Sequence, residues 1–511
     1  MSADVSSRAR SLLDWQDMGA SAPEVSRANT LPARGAIVDR AFLWLFIGGL
    51  AWCPFWFGSN VLLAWGVNAV LFPGLALLYE ISLLVRGEHR QLGIKTLKIP
   101  AALFLAVLAW IFVQNATWTP PALHHPIWAM AAKALGSPVL GSISVDRDLT
   151  TLALIRLITA ASVFWLALHL CRDRSRANLL LRAIAAIGCG YAAYGLVAFA
   201  VTPGWVLWVK DAGVPGLGKG ILRSTFINPN SYATYAGIGL ITICGLILQL
   251  YRREAINIGG SWRFRIANFI EVTGRKGAVL VGGAFVILVA LLMTGSRGGV
   301  IATSLGLFVL GALTLGKRKR GAMAKVGVIG FGAVVIAGVF LVFGDAVVSH
   351  IRDQGLDDES RIAVYLIVFW SILSAPLLGY GYGTFADVFP MYRDHSIGVE
   401  GVWTQAHNTY LEIFQGLGLI FGAMLIASVL LLVGMCLKAS IQSSESVTVP
   451  RVATGVAVLV GVHALVDFSL QIQAVAITFM AVLGAGVAQS ETVRLTAHEY
   501  AASSLRNSAT F

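Results

Sequence analysis

The sequence predicts an all-α polytopic integral membrane protein with about twelve transmembrane helices and a large outer loop. Three observations predict it. Of the 511 residues, 57% are hydrophobic and only 13% charged, against roughly 25% charged in an ordinary soluble domain. Apolar stretches of 17 or more residues recur from Ala41 almost to the C-terminus, each long enough to cross a bilayer as a helix. Basic residues fall in short clusters between those stretches, as membrane topology demands. The composition excludes a water-soluble globular enzyme. The clustering makes nucleic acid a poor partner despite a net charge of +12.

Taken in order, residues 1–40 read as a cytoplasmic tail with charge of both signs and no apolar core. No cleavable signal peptide is expected, and the stretch from Ala41 directs insertion. Spans are predicted at 41–57, 62–85, 99–115, 150–170, 183–201, 231–250, 278–294, 300–316, 326–343, 414–437, 452–468 and 472–488. The chain thus divides into a bundle of about nine spans over 41–343, an outer loop over 344–413, further spans over 414–488 and a cytoplasmic tail over 489–511. Placing the N-terminus inside puts 28 of the 38 Lys and Arg residues on the cytoplasmic side, the run Lys317 to Arg320 included. That agrees with the positive-inside rule. The outer face then receives 116–149, 202–230 and 344–413. Within the last, 363–378 is apolar enough to form an amphipathic or re-entrant helix rather than a further span. The Arg-rich segment 251–276 reads as a topology determinant or a basic helix on anionic lipid. All five cysteines lie in or beside apolar stretches, with no metal-ligand spacing or disulfide framework, and read as packing residues.

Loop charge alone assigns these sides, so the location of the other polar residues is an independent observation. They gather at the outer face. Arg223, Asn228 and Asn230 precede the sixth span; Ser296 and Arg297 lie in the turn between the seventh and eighth; Arg361 is in the large loop; His407, Asn408 and Glu412 approach the tenth span; His463, Asp467 and Gln471 lie near the last outer turn. Arg156 sits about two turns into the fourth span and reads as a structural ion pair. Ionised groups in a bilayer are costly and face a protein interior or a watery cavity. The pattern implies a polar, cationic cavity opening outward.

Arginine presents a planar fork of donors that matches phosphate oxygens. Arg297 lies in TGSRGG, whose glycines allow a tight turn and close approach of an anionic headgroup. Arg223 and Arg361 are further anion-binding candidates, able also to pair with loop carboxylates. A neutral imidazole at His407 can accept a proton from a sugar hydroxyl; the plainer alternative is a capping histidine. Asn408 is placed to cap the following helix, and Glu412 to orient the imidazole or close a salt bridge. His463 and Asp467, spaced i, i+4, read as sharing a helix face towards the cavity. Asn228 and Asn230 are available for hydroxyl or phosphate contacts. Neither the Asp146–Asp148 pair nor any cysteine set makes a persuasive metal site. GYGYGTF at Gly379 to Phe385 lacks the context of a nucleotide-binding loop and reads as a conformational joint.

In this order STFINPNSYA, LLMTGSRGG, the Arg361 segment leading to LLGYGYGTF, AHNTYLEIFQGLG and HALVDFSLQI resemble the bacterial O-antigen ligase and O-antigen polymerase superfamily. The likeness covers about residues 220–475. It implies a GT-C-like membrane glycosyltransferase that uses undecaprenyl-diphosphate-linked oligosaccharide at the periplasmic face of the inner membrane. The family's arginines fall on Arg297 and Arg361 and its histidine on His407, which the resemblance makes catalytic. Arg223, Asn228, Asn230, Ser296, Asn408, Glu412, His463 and Asp467 then contact substrate. Metal-independent, inverting transfer without a cofactor is implied. The acceptor is another lipid-linked glycan in a polymerase, or lipid A core or a protein hydroxyl in a ligase. Polymerase or exopolysaccharide assembly is the favoured expectation, with a polysaccharide flippase and a chain-length regulator as partners. A glycolipid transporter is the competing class.

Overall fold

The computed structural model describes residues 33–88, 94–210, 220–255, 262–315, 355–397, 402–442 and 447–508. Met1–Ala41 and Phe42–Phe511 are separate compact units. Of the first, only the opening turns of α1 (Ala33–Trp52) are described; the site and the helices that support it lie in the second. Helices α2 (Leu62–Val85), α3 (Ile94–Asn115), a short α4 (Ile127–Leu135), α5 (Arg147–Leu170), α6 (Arg174–Val201), α7 (Pro229–Ala255), α8 (Trp262–Leu292) and α9 (Arg297–Leu315) come first. After these come α10 (Gly355–Ser374), α11 (Phe385–Tyr392), α12 (Thr409–Gln442), α13 (Thr448–His463) and α14 (Gln473–Ser508). The described strands are β1 (Trp205–Val206) and β2 (Val209–Lys210), a small antiparallel hairpin.

The protein is an all-α polytopic membrane protein. Among the described residues nine helices are long and apolar enough to cross a membrane, and Gly277–Leu292 of α8 and Thr448–His463 are shorter apolar helices. Eleven of the twelve predicted spans coincide with these helices. The ninth, 326–343, lies outside the described residues. The first begins and ends earlier than expected, because the chain leaves the helix into turns around Pro54, which cannot supply a helix-interior N–H. The eleventh stops at His463 instead of running to 468.

Helices α7 and α14 form the centre. Their apolar windows are 78% and 83% buried, against 22–39% in the other seven long helices. Apolar side chains gain little by leaving lipid for one another, so helices associate through close packing of small residues. Gly188 and Gly239 bring α6 and α7 together, Gly237 lies against Thr303 and Leu459, and Gly484 meets the backbone of Phe164. Leu, Val and Phe on the outer helices remain exposed, as lipid-facing surface requires.

One end of the bundle is tied together by backbone bonds between the segments expected outside. Leu222 N–H donates to Met293 O (3.0 Å), Ala474 N–H to Gly58 O (3.1 Å), Val145 N–H to Tyr380 O (2.9 Å) and Thr409 N–H to Ala464 O (2.9 Å). At the opposite end Gln489 donates to the carbonyls of Cys171 and Arg172. In the large loop α10 buries Val364, Ile367, Val368 and Ile372 against Phe385, Phe389 and Ala406. Its other side exposes Ile362, Leu366, Phe369, Trp370 and Leu373.

The tenth span is broken. Gly418 (φ 77°, ψ 171°) interrupts α12, separating a half-helix Thr409–Leu417 from the long segment beyond. A helix end in a membrane must find partners for its carbonyls. Here Gln415 O accepts from Tyr380 N–H (3.0 Å) and Gly416 O from Gly381 N–H (3.0 Å). Gln114 Nε2 also donates to Gly416 O (2.8 Å), and Trp110 Nε1 donates to Leu417 O (3.1 Å). Leu419 N–H, freed beyond the break, donates to Pro376 O at 2.7 Å. GYGYGTF is therefore packed into the break. Gly379 has φ 65°, and a Cβ there would stand 2.4 Å from Gly416 O. Gly379→Ala is expected to destabilise the protein by about 2–4 kcal/mol, from left-handed strain plus forced repacking. The check is thermal unfolding in detergent, and an unchanged Tm would contradict this account of the break.

Candidate functional site

The half-helix of α12 carries the centre of the site at its N-terminal end. Asn408 Oδ1 accepts from the N–H groups of Tyr410 and Leu411, both at 3.1 Å, and caps the helix. The chain just before it turns sharply, with His407 at φ 55°. That left-handed conformation costs a non-glycine residue roughly 1–2 kcal/mol, though histidine tolerates it better than most. Tyr365 of α10 donates to His407 O at 2.9 Å. The imidazole meets Phe468 and Trp403 edge-on.

His407 Nδ1 lies 3.9 Å from Asp467 Oδ1, with 21% of the histidine side chain exposed and 1% of the aspartate's. The buried carboxylate is shared with a wider network. Ser469 Oγ donates to Asp467 Oδ2. Thr234 Oγ1 donates to Ser469 Oγ at 2.9 Å and lies 2.5 Å from His463 Nδ1. Asp467 thus joins His407 to α7 and α13. The expected helical i, i+4 relation of His463 and Asp467 does not exist, because α13 ends at His463 and Asp467 lies in the following turn. The two are linked through Ser469 instead.

The other predicted residues arrange themselves around this network. An added Cβ on Gly298 would stand 3.1 Å from His463 Nε2, so the turn bearing Ser296 and Arg297 packs on that ring. Ser296 Oγ accepts from Gly299 N–H at 3.2 Å and caps α9. Arg297, the first residue of α9, is exposed. Asn228 Oδ1 accepts from Asn230 N–H (2.7 Å) and Ser231 N–H (3.4 Å), capping α7. Asn230 O accepts from Thr234. Arg361 lies one turn before Tyr365 on α10 and is partly exposed. Arg223 is buried and lines a small cavity with Gly195, Phe199, Trp205 and Ser224.

A second polar chain approaches His407 from the bundle. Glu412 Oε1 accepts from Ala406 N–H at 2.5 Å, and its Oε2 from Gln471 Nε2 at 2.6 Å. Arg156 donates to Gln471 O, with its guanidinium 4.4 Å from the centre of the Trp65 ring. The arginine expected in a structural ion pair thus meets a carbonyl and an aromatic face. Burial raises the Tyr382 phenol above its ordinary value, against the pull of Arg156. Asp146 caps α5 through Asp148 and Leu149 N–H, both 2.8 Å. It also sits beside Asp387, whose carboxyl is pushed up by burial and by that neighbouring charge.

Residues 282–427 match the O-antigen ligase family. That domain supports membership of the O-antigen ligase and polymerase superfamily. The match runs from α8 through α9, α10 and α11 into α12, so it includes Arg297, Arg361, His407, Asn408 and Glu412. Among curated proteins, none matches the chain. That family implies a glycosyltransferase-like membrane enzyme with a lipid-linked glycan and an acceptor as substrates. Sequence reasoning missed Thr234, Ser469 and Tyr365, whose hydroxyls hold the network around His407. Their hydroxyls sit in ordinary helix and turn contexts, and no local spacing marks them.

Proposed function

We propose that this superfamily member transfers a glycan from undecaprenyl diphosphate to a hydroxyl acceptor at the outer face of the membrane. The observation that carries the reading is the imidazole of His407 beside the buried Asp467 carboxylate, with the Arg297 turn packed on the same network. Nδ1 faces Asp467, and Nε2 is the nitrogen assigned to the acceptor. The carboxylate favours the tautomer with its proton on Nδ1, as in other base–orienter pairs.

In the proposed step the acceptor oxygen attacks the anomeric carbon and His407 Nε2 takes its proton. The bond from that carbon to the phosphate oxygen breaks, the electron pair leaves with undecaprenyl diphosphate, and the configuration inverts. Arg297 and Arg361 stabilise charge developing on the leaving diphosphate. Three helix N-termini support the same polarity. Those of α7, α9 and α12, capped by Asn228, Ser296 and Asn408, all lie at this end of the bundle, and the positive end of a helix dipole favours anions. Those three side-chain oxygens hold backbone, so any substrate contact from the asparagines falls to their amide NH2 groups. His463 and Asp467 act behind His407, not on substrate. The reaction uses no cofactor or metal.

The favoured acceptor is a second lipid-linked glycan, as in a polymerase working with a flippase and a chain-length regulator. Transfer to lipid A core, as in a ligase, or to a protein hydroxyl is the second reading, and the family match is compatible with either. Purified protein incubated with undecaprenyl-diphosphate-linked oligosaccharide distinguishes the two. Growth by whole repeats without added core is the expected result. Transfer only after lipid A core is supplied would make the enzyme a ligase, and no transfer under either condition would reject the proposal.

A further inference from the structure

His407 occupies a left-handed conformation, and such a conformation persists only where its surroundings over-determine it. Its carbonyl is held by Tyr365 and the following residues by the Asn408 cap. The chain before it is held by Glu412. Asn408 already satisfies the first free N–H groups of the half-helix, so Glu412 is not needed as its cap. Instead its carboxylate reaches back past the cap to Ala406 N–H. The other oxygen is occupied by Gln471, whose carbonyl receives Arg156, and Arg156 lies on Trp65.

We infer that Glu412, Gln471 and Arg156 form a clamp that fixes the backbone at His407 and thereby aims its imidazole at the reacting hydroxyl. The inference rests on the proposed role of His407 and reassigns Glu412 from substrate contact to positioning. The clamp has a physical logic. Both oxygens of Glu412 already accept a bond from the protein, which favours a positioning role over substrate contact. A carboxylate in apolar surroundings is tolerated when hydrogen-bonded and near a cation, and Arg156 supplies the cation through one intervening residue. Trp65 holds the guanidinium flat. The chain therefore runs from two helices of the bundle, α2 and α5, through the α13–α14 turn to the residue before His407. Loss of the Ala406 bond would free rotation about the His407 backbone and let the ring leave Asp467. A displacement of about 1 Å at a catalytic group can cost on the order of 100-fold in rate.

The test is a double-mutant cycle in reconstituted membranes, with undecaprenyl-diphosphate-linked oligosaccharide as donor. E412A is expected to lower kcat by about 100-fold, with donor KM and donor-binding stoichiometry close to parental. E412Q keeps an acceptor oxygen for Ala406 and is expected to recover most of that loss. In an H407A background E412A should have no further effect, because a residue acting through His407 has nothing left to position. An E412A loss as large in that background as in the parent would overturn the clamp, since a general structural defect lowers both. Parental kcat in E412A beside an inactive H407A overturns the clamp alone. Parental kcat in H407A instead overturns the reading beneath it. Should E412A fail to fold, Q471A is carried through the same cycle and is judged by the same outcomes.

Discussion

Replacing His407 with alanine is expected to reduce glycan transfer by roughly 10²–10⁴-fold, the range for loss of a positioned general base, while the protein accumulates in membranes at the parental level. The acceptor hydroxyl is a weak nucleophile at neutral pH, and Nε2 is the one nitrogen of this ring turned away from Asp467. Alanine removes the base and also disturbs a left-handed backbone position. Asparagine tolerates that conformation, so His407→Asn separates the chemistry from the fold. Both variants should be equally inactive. The measurement is product length by gel, alongside membrane abundance by immunoblot. Parental product from His407→Asn would remove His407 from the mechanism.

Arg297→Ala is the second large effect, with an expected loss of roughly 10²–10³-fold in kcat, as for removal of one charge-stabilising donor. Arg297 is exposed at the first turn of α9, and Ser296 rather than its side chain caps that helix. Its removal should therefore leave stability within about 0.5 kcal/mol of the parent, as for other surface substitutions. Arg297→Lys keeps a point charge but loses the planar fork that spans two phosphate oxygens. Its activity should fall between alanine and the parent. Equal kcat in all three proteins, with equal Tm, would show that the diphosphate is held elsewhere at this end of the bundle.

The candidate site was largely legible along the chain in its parts. Apolar length and the positive-inside bias located eleven helices that the described residues contain, and placed the polar residues at one end. Local rules also reached the caps: Asn408, with the helix beginning one residue later, is where short-range hydrogen bonding puts it. Contacts within a few residues of one another depend on backbone geometry that residue type alone largely dictates.

The tertiary structure decided what those parts do together. Asp467 faces His407 across 60 positions rather than His463 across four, because α13 ends early and the turn folds its carboxylate under the α12 half-helix. The break at Gly418 depends on Trp110 and Gln114 of α3 and on the Gly379–Gly381 backbone, two distant segments that together satisfy its carbonyls. Glu412 reads locally as a partner for the imidazole, yet its bonds go to Ala406 and Gln471. Hydrophobic length determines that a segment crosses the membrane, and the amino-acid order alone carries that signal. It does not determine which helices adjoin, since lipid and protein interiors are almost equally apolar; that is decided by small-residue packing and by the need of every buried polar group for a partner.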